Sequence, residues 1–168
     1  DDTDNKDIIY IKHKDDETIY KLPIKCAKLS KYLLEYIINN PNESDTYGKE
    51  EKNPLVIESS DVTPISLKFI VKYLIYFQYN DETEPPEKPL KNIHISVLFG
   101  DEFTLYENLY DPNDPLGKKI KDVLQYCKTS IYFETNNLDK KLCAIKASLI
   151  TATPYSELQR IITELCEM

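Results

Sequence analysis

The sequence predicts an α+β fold in which a small β-sheet is flanked by helices and followed by a C-terminal helical extension. Three observations lead there. The opening residues set β-branched and aromatic side chains around a polar turn, later segments repeat apolar residues at three- and four-residue spacing, and most prolines stand between these segments or at their first residue.

Ile8-Ile9-Tyr10-Ile11-Lys12 and Thr18-Ile19-Tyr20-Lys21-Leu22 flank the polar turn Lys14-Asp15-Asp16-Glu17, a hairpin pattern. Pro23 then opens a helix whose apolar residues are Cys26, Leu29, Leu33, Leu34 and Ile37. Proline ends it near Asn39-Asn40-Pro41, because its ring clashes with the preceding turn and it carries no amide proton. Residues 41–53 are polar and contain Pro41 and Gly48, which reads as a mobile acidic loop. Leu55-Val56-Ile57 is a third strand. Thr63-Pro64 starts a second helix, with a hydroxyl to cap the free amides and a proline where no amide is needed. Leu67, Ile70, Val71, Leu74 and Phe77 form its apolar face, and Lys68 and Lys72 lie opposite.

Residues 80–91 are an acidic, proline-rich linker, which continues neither a helix nor a central strand. The run from Ile93 to Phe103 fits a short strand or a helix. From Lys118 onward three helices are expected. The first carries Ile120, Val123, Leu124 and Cys127; the second, Leu142, Ile145, Leu149 and Ile150. The third opens at Thr153-Pro154 and carries Leu158, Ile161, Ile162 and Leu165. The expected organisation is a strand-helix core over residues 1–103, an inserted loop over 104–119, and C-terminal helices over 120–168.

A chain of 168 residues is long enough to bury a core without a disulfide or metal staple. Its formal charge of −8, with Arg160 its single arginine, argues against binding nucleic acid or an anionic membrane, since both depend on neutralising phosphates. Cys26, Cys127, Cys143 and Cys166 are widely spaced and form no CxxC pair, the pattern of free thiols in a reducing compartment. No apolar run reaches the length of a membrane span, and the opening DDTDNK is unlike a signal peptide. The expectation is a soluble protein of the cytoplasm, the nucleus or both.

No catalytic pattern is legible. His13 and His94 lie in separate segments without metal-ligand spacing. Gly48, Gly100 and Gly117 make no phosphate-binding loop, and the carboxylate clusters fall in polar loops. The partners of a nucleophilic thiol need not be its sequence neighbours, so a thiol enzyme using Cys127 or Cys143 stays a minor alternative. Only two histidines are at hand as bases, however, and none of the four cysteines has a flanking signature. The chain is therefore expected not to be an enzyme, with no catalytic residue, no cofactor and no metal site.

Several short strings occur in a telling order. Asp15-Asp16-Glu17 precedes Ala27-Lys28-Leu29-Ser30, then come Leu55 to Ile57, Leu67-Lys68 to Tyr73-Leu74, Pro85-Pro86-Glu87-Lys88-Pro89 and Asp101-Glu102-Phe103. Tyr132-Phe133-Glu134 follows, and Thr153-Pro154 closes the set at a fixed distance from Asp139. The set, spanning roughly residues 8 to 165, resembles the Skp-type adaptors of cullin ubiquitin ligases and their relative elongin C, in the BTB/POZ-like superfamily. It is similar to that family's D-G-E turn, A-K-x-S helix, short third strand and following helix, proline-containing linker, D-x-E-F string, Y-L-D string and T-P helix start. The departures are equally specific. Asp16 stands in place of the turn glycine and Ile131 in place of an asparagine, residues 104–119 have no counterpart, and the family adds a further helix beyond the position of Met168. Tyr76-Phe77-Gln78-Tyr79 is closer to elongin C.

The resemblance implies a BTB/POZ-like fold and a non-catalytic adaptor that bridges a cullin-type scaffold to an F-box protein. It also implies an apolar groove for a partner helix, carried over to Val123, Leu124, Ile145, Leu149, Ile150, Pro154, Leu158, Ile161 and Leu165, and a cullin-facing pair, Ile131 and Tyr132. Two alternatives stay open: an elongin C-like adaptor with an elongin B-like and a SOCS-box partner, and a self-associating BTB scaffold that forms a homodimer.

Overall fold

The central strand of the sheet follows from its alternation. In β1 (Ile8–His13) every second side chain is buried, which places Ile9, Ile11 and His13 on the inner face. β2 (Tyr20–Pro23) pairs with β1 antiparallel, Ile8 opposite Pro23 and Ile11 opposite Tyr20. β3 (Leu55–Ile57) pairs with the other edge in parallel, Ile11 opposite Leu55 and His13 opposite Ile57. The fold is thus α+β, with a mixed three-stranded sheet in the order β2-β1-β3. The computed structural model describes residues 8–35, 46–78, 80–85 and 99–167.

β2 begins two residues later than its β-branched run suggests. Asp16 Oδ1 accepts from both the amide and the hydroxyl of Thr18, each at 3.1 Å. That side-chain turn holds Thr18 away from the ladder.

The helix expected from Pro23 to Asn39 is interrupted. A 3-10 helix covers Ile24–Leu29, Ser30 is extended (φ −118, ψ 111), and one α-turn, α1, covers Lys31–Leu33. Ser30 makes the break: its hydroxyl donates to the Phe133 carbonyl and accepts from the Leu33 amide. Residues 36–40 of that expected helix lie outside the described residues.

Of the mobile acidic loop expected over residues 41–53, residues 46–53 are described and carry no helix or strand. Residues 46–53 form a turn fastened to the sheet: the Gly48 carbonyl accepts from the Tyr10 amide at 2.8 Å, and the Tyr47 hydroxyl accepts from the Val56 amide at 3.2 Å. Gly48 has a φ of +74, which a side chain would strain. Residues 41–45 lie outside the described residues.

α2 (Pro64–Phe77) starts as its sequence predicts. Thr63 Oγ1 accepts from the Ser66 amide at 3.2 Å, and Ser66 Oγ accepts from the Thr63 amide at 2.8 Å, a reciprocal cap. Leu67, Ile70, Val71 and Leu74 are buried. Of the expected linker, residues 80–85 carry no helix or strand, and Asp81 accepts from the Tyr73 hydroxyl at 2.6 Å; residues 86–91 lie outside the described residues, as do 93–98 of the following run.

Residues 104–119 are not a plain loop. They include the last two residues of one 3-10 helix, Gly100–Leu105, the whole of another, Glu107–Tyr110, with Tyr106 and Leu109 fully buried, and the first residues of the next helix. Three helices follow: α3 (Leu116–Tyr132), α4 (Asn136–Ala152) and α5 (Tyr155–Cys166). Glu134, at φ 53, turns the chain between α3 and α4. The Thr153 hydroxyl donates to the Leu149 carbonyl at 2.8 Å and closes α4 before Pro154.

The chain forms two compact units that do not follow chain order. One comprises residues 1–83 and 128–136, and the other residues 84–127 and 137–168. The first holds the sheet, α2 and the end of α3. Its inner faces meet around Ile9, Ile11, Leu22, Leu67 and Ile70, and His13 is buried with both ring nitrogens used. Nδ1 accepts from the Asp15 amide at 3.0 Å, so Nε2 carries the proton that reaches the Val62 carbonyl at 2.7 Å. The second unit packs α3, α4 and α5 around Val123, Leu142, Ile145 and Ile161. Among the described residues, no helix is long and apolar enough to cross a membrane.

Candidate functional site

The C-terminal helices divide the expected groove residues into two sets. Val123, Ile145, Leu149 and Ile161 are buried within the chain, where they form core and leave no surface for a partner in this arrangement. Leu124, Leu158 and Leu165 are half-buried, while Ile150 and Pro154 are exposed. The placement of α5 decides this division. Ile161 lies against Gly117 in the first turn of α3, where a Cβ would stand 3.4 Å from Ile161 Cγ1, an ordinary van der Waals distance, so Ile161 is the isoleucine that packs on α3. Lys121 and Glu164, 3.5 Å apart, reinforce the same contact.

With Ile161 inward, its neighbours face out. Tyr155 is 74% exposed and Ile162 51% exposed. Tyr155, Leu158, Ile162 and Leu165 follow one another at steps of three and four, which puts them on one side of α5. The sequence spacing shows that α5 is apolar but not which of two adjacent isoleucines is core. The expected groove takes Ile161 and includes neither Ile162 nor Tyr155.

The expected cullin-facing pair lies in the first unit. Ile131 is 64% exposed in the last turn of α3. Tyr132 is half-buried against Tyr32, with ring centroids 4.8 Å apart and the hydroxyls 3.1 Å apart. Phe133 is buried edge-on to Tyr32 and acts as the anchor of this aromatic group. The arrangement presents an isoleucine beside a fixed tyrosine ring.

Two further groupings in the second unit escaped the sequence. Lys141 Nζ and the Tyr106 hydroxyl each reach Glu102 Oε1 at 2.7 Å, a buried charge network. Glu102 belongs to the Asp101-Glu102-Phe103 string, but nothing local marks Lys141 as its partner. Cys127, Asp139 and Cys143 form the other, with one ligand atom from each within 4.8 Å of the rest. All four cysteines are free. Burial pushes the Cys127 thiol up to about 12, with Lys146 acting in the opposite sense, so at neutral pH it is a thiol and a poor nucleophile. Only the Asp139-x-x-x-Cys143 spacing on one helix face could have drawn attention to this group.

His13 is a satisfied core histidine rather than a base, and His94 lies outside the described residues. No family model matches the sequence, and no curated protein matches it.

Proposed function

We propose that this chain is a non-catalytic adaptor with a BTB/POZ-like fold, of the Skp type, which joins a cullin-type scaffold to an F-box-type substrate-recognition protein. The observation that carries this reading is the apolar outer side of α5. Tyr155 and Ile162 are large and exposed, and half-buried Leu158 and Leu165 extend the same side. Exposed apolar side chains at helical spacing are what a partner helix packs against, with apolar anchors giving affinity and the polar rim giving register. Glu157, Arg160 and Glu164 supply such a rim.

The order of strands and helices and the ordered strings from Asp15 to Pro154 support the same reading. The groove is shallower than the family carry-over implies, because four of its nine expected residues are core. Ile131 and Tyr132 are the proposed contact with the scaffold. An elongin C-like variant of this reading draws on the string Tyr76-Phe77-Gln78-Tyr79, in which Tyr76 is exposed on α2.

Affinity capture of the tagged full chain from its native cells tests the proposal. A cullin and one or more F-box-type proteins should co-purify. Capture of an elongin B-like and a SOCS-box protein would move the assignment to the elongin C-like variant. Recovery of none of these would end it.

A further inference from the structure

Cys127 on α3 and Asp139 and Cys143 on α4 bring two thiol sulfurs and a carboxylate oxygen within 4.8 Å of one another. Among the described residues, no other group of three or more histidine, cysteine or acidic side chains is so placed. Asp139 and Cys143 share a helix face because four residues are close to one full turn. Cys143 Sγ already lies 4.0 Å from Asp139 Oδ1. Cys127 is buried and the other two are half-buried, so the cluster has a dry side and a side open to solvent.

We propose that these three side chains form a binding site for a thiophilic divalent cation, zinc foremost, held by two thiolates and one carboxylate. The donor set selects the ion: soft thiolates favour zinc over magnesium or calcium, which take oxygen ligands, and zinc accepts a carboxylate as well. The size fits. Tetrahedral zinc with sulfur at about 2.3 Å and oxygen at about 2.1 Å places its donors roughly 3.5–3.8 Å apart, so modest side-chain rotation closes the cluster.

Three donors from the chain leave the fourth position to water or to a donor from another molecule, the pattern of an open site. Binding releases one proton from each thiol, while the carboxylate joins without proton loss. Two thiolates and a carboxylate around a divalent ion leave one negative charge. Lys146, whose charge acts on Cys127, offsets it. A bound ion would tie α3 to α4 within the second unit and stabilise the folded state, since the unfolded chain does not hold the three donors together. This inference is independent of the adaptor reading.

Cadmium is the probe, because its thiolate charge-transfer band reports how many sulfurs bind. The full chain, kept reduced with a phosphine and freed of metal, is titrated with cadmium alone. The band should saturate at one cadmium per chain, and Cys127→Ser and Cys143→Ser should each halve it. Asp139→Asn should keep the band and weaken binding on the order of tenfold or more. Paired Cys26→Ser and Cys166→Ser substitutions should change nothing. Zinc should displace the cadmium and raise the unfolding midpoint of the parent chain but not of Cys143→Ser. If Cys127→Ser fails to fold at its buried position, the half-exposed Cys143 and Asp139 variants still decide. An absent band, or one that survives Cys143→Ser unchanged, overturns the proposal, as does one that disappears with Cys26 and Cys166.

Discussion

Lys141 Nζ lies 2.7 Å from Glu102 Oε1, and both side chains are almost wholly removed from solvent. The Tyr106 hydroxyl donates to the same oxygen at 2.7 Å. Taking two charges out of water is costly, and their mutual attraction compensates only while both remain. Lys141→Met should therefore destabilise the chain by about 3–5 kcal/mol, because it strands the buried carboxylate. Replacing all three groups with apolar residues (Lys141→Met, Glu102→Leu, Tyr106→Phe) should recover most or all of that loss. Urea unfolding of the single and triple variants checks this; a single variant as stable as the parent would contradict it.

Tyr110 presents the opposite case. Among the described residues its buried hydroxyl has no hydrogen-bond partner, and burial pushes its phenol above the ordinary value of 10.0. Tyr110→Phe should stabilise the fold by about 1 kcal/mol, since an unmade hydrogen bond costs desolvation with no return. The pH dependence has a definite sign. The raised phenol in the folded chain means that the unfolded chain ionises first, so stability falls as pH rises above 10.0. The variant should lose less stability than the parent over that alkaline range. Unfolding midpoints measured at neutral pH and above the phenol range test both parts, and a variant less stable than the parent at neutral pH would refute the reading of Tyr110.

Ser30 joins two distant parts of the first unit through one hydroxyl. It donates to the Phe133 carbonyl and caps the Leu33 amide. Ser30→Ala leaves both groups without that partner and should cost roughly 1–3 kcal/mol. Thermal unfolding gives the answer, and amide exchange at Leu33 should quicken in the same variant. Unchanged exchange there would show that the cap does not hold the turn.

The features legible in the sequence are those whose causes are local. Thr63, Pro64 and Ser66 lie within four residues, so the start of α2 could be read from its own chemistry, and the alternation of β1 needs only its own side chains. The break at Ser30 was not legible, because the carbonyl that captures its hydroxyl belongs to a residue 103 positions away. The turn at residues 46–53 reads as free in the sequence because its holds on the strands are a backbone pair, Tyr10 to Gly48, and a Tyr47 hydroxyl that meets the Val56 amide, neither of which composition reveals. In the candidate site, α5 was plainly apolar. Which isoleucine it buries depends on how α5 packs on another helix, where Ile161 lies against Gly117. Cys127 likewise meets Asp139 and Cys143 only once α3 and α4 are packed.

Reconstitution with purified components tests the proposed adaptor role most directly. The full chain is mixed with the N-terminal region of a cullin and with an F-box protein from the same organism, and the mixture is resolved by size-exclusion chromatography. All three should co-elute. Ile162→Glu, on the exposed side of α5, should release the F-box protein and keep the cullin, and Ile131→Asp should do the reverse, with unfolding midpoints close to the parent because both positions are exposed. If the chain elutes apart from both proteins, or if neither substitution alters the assembly, the adaptor account is contradicted.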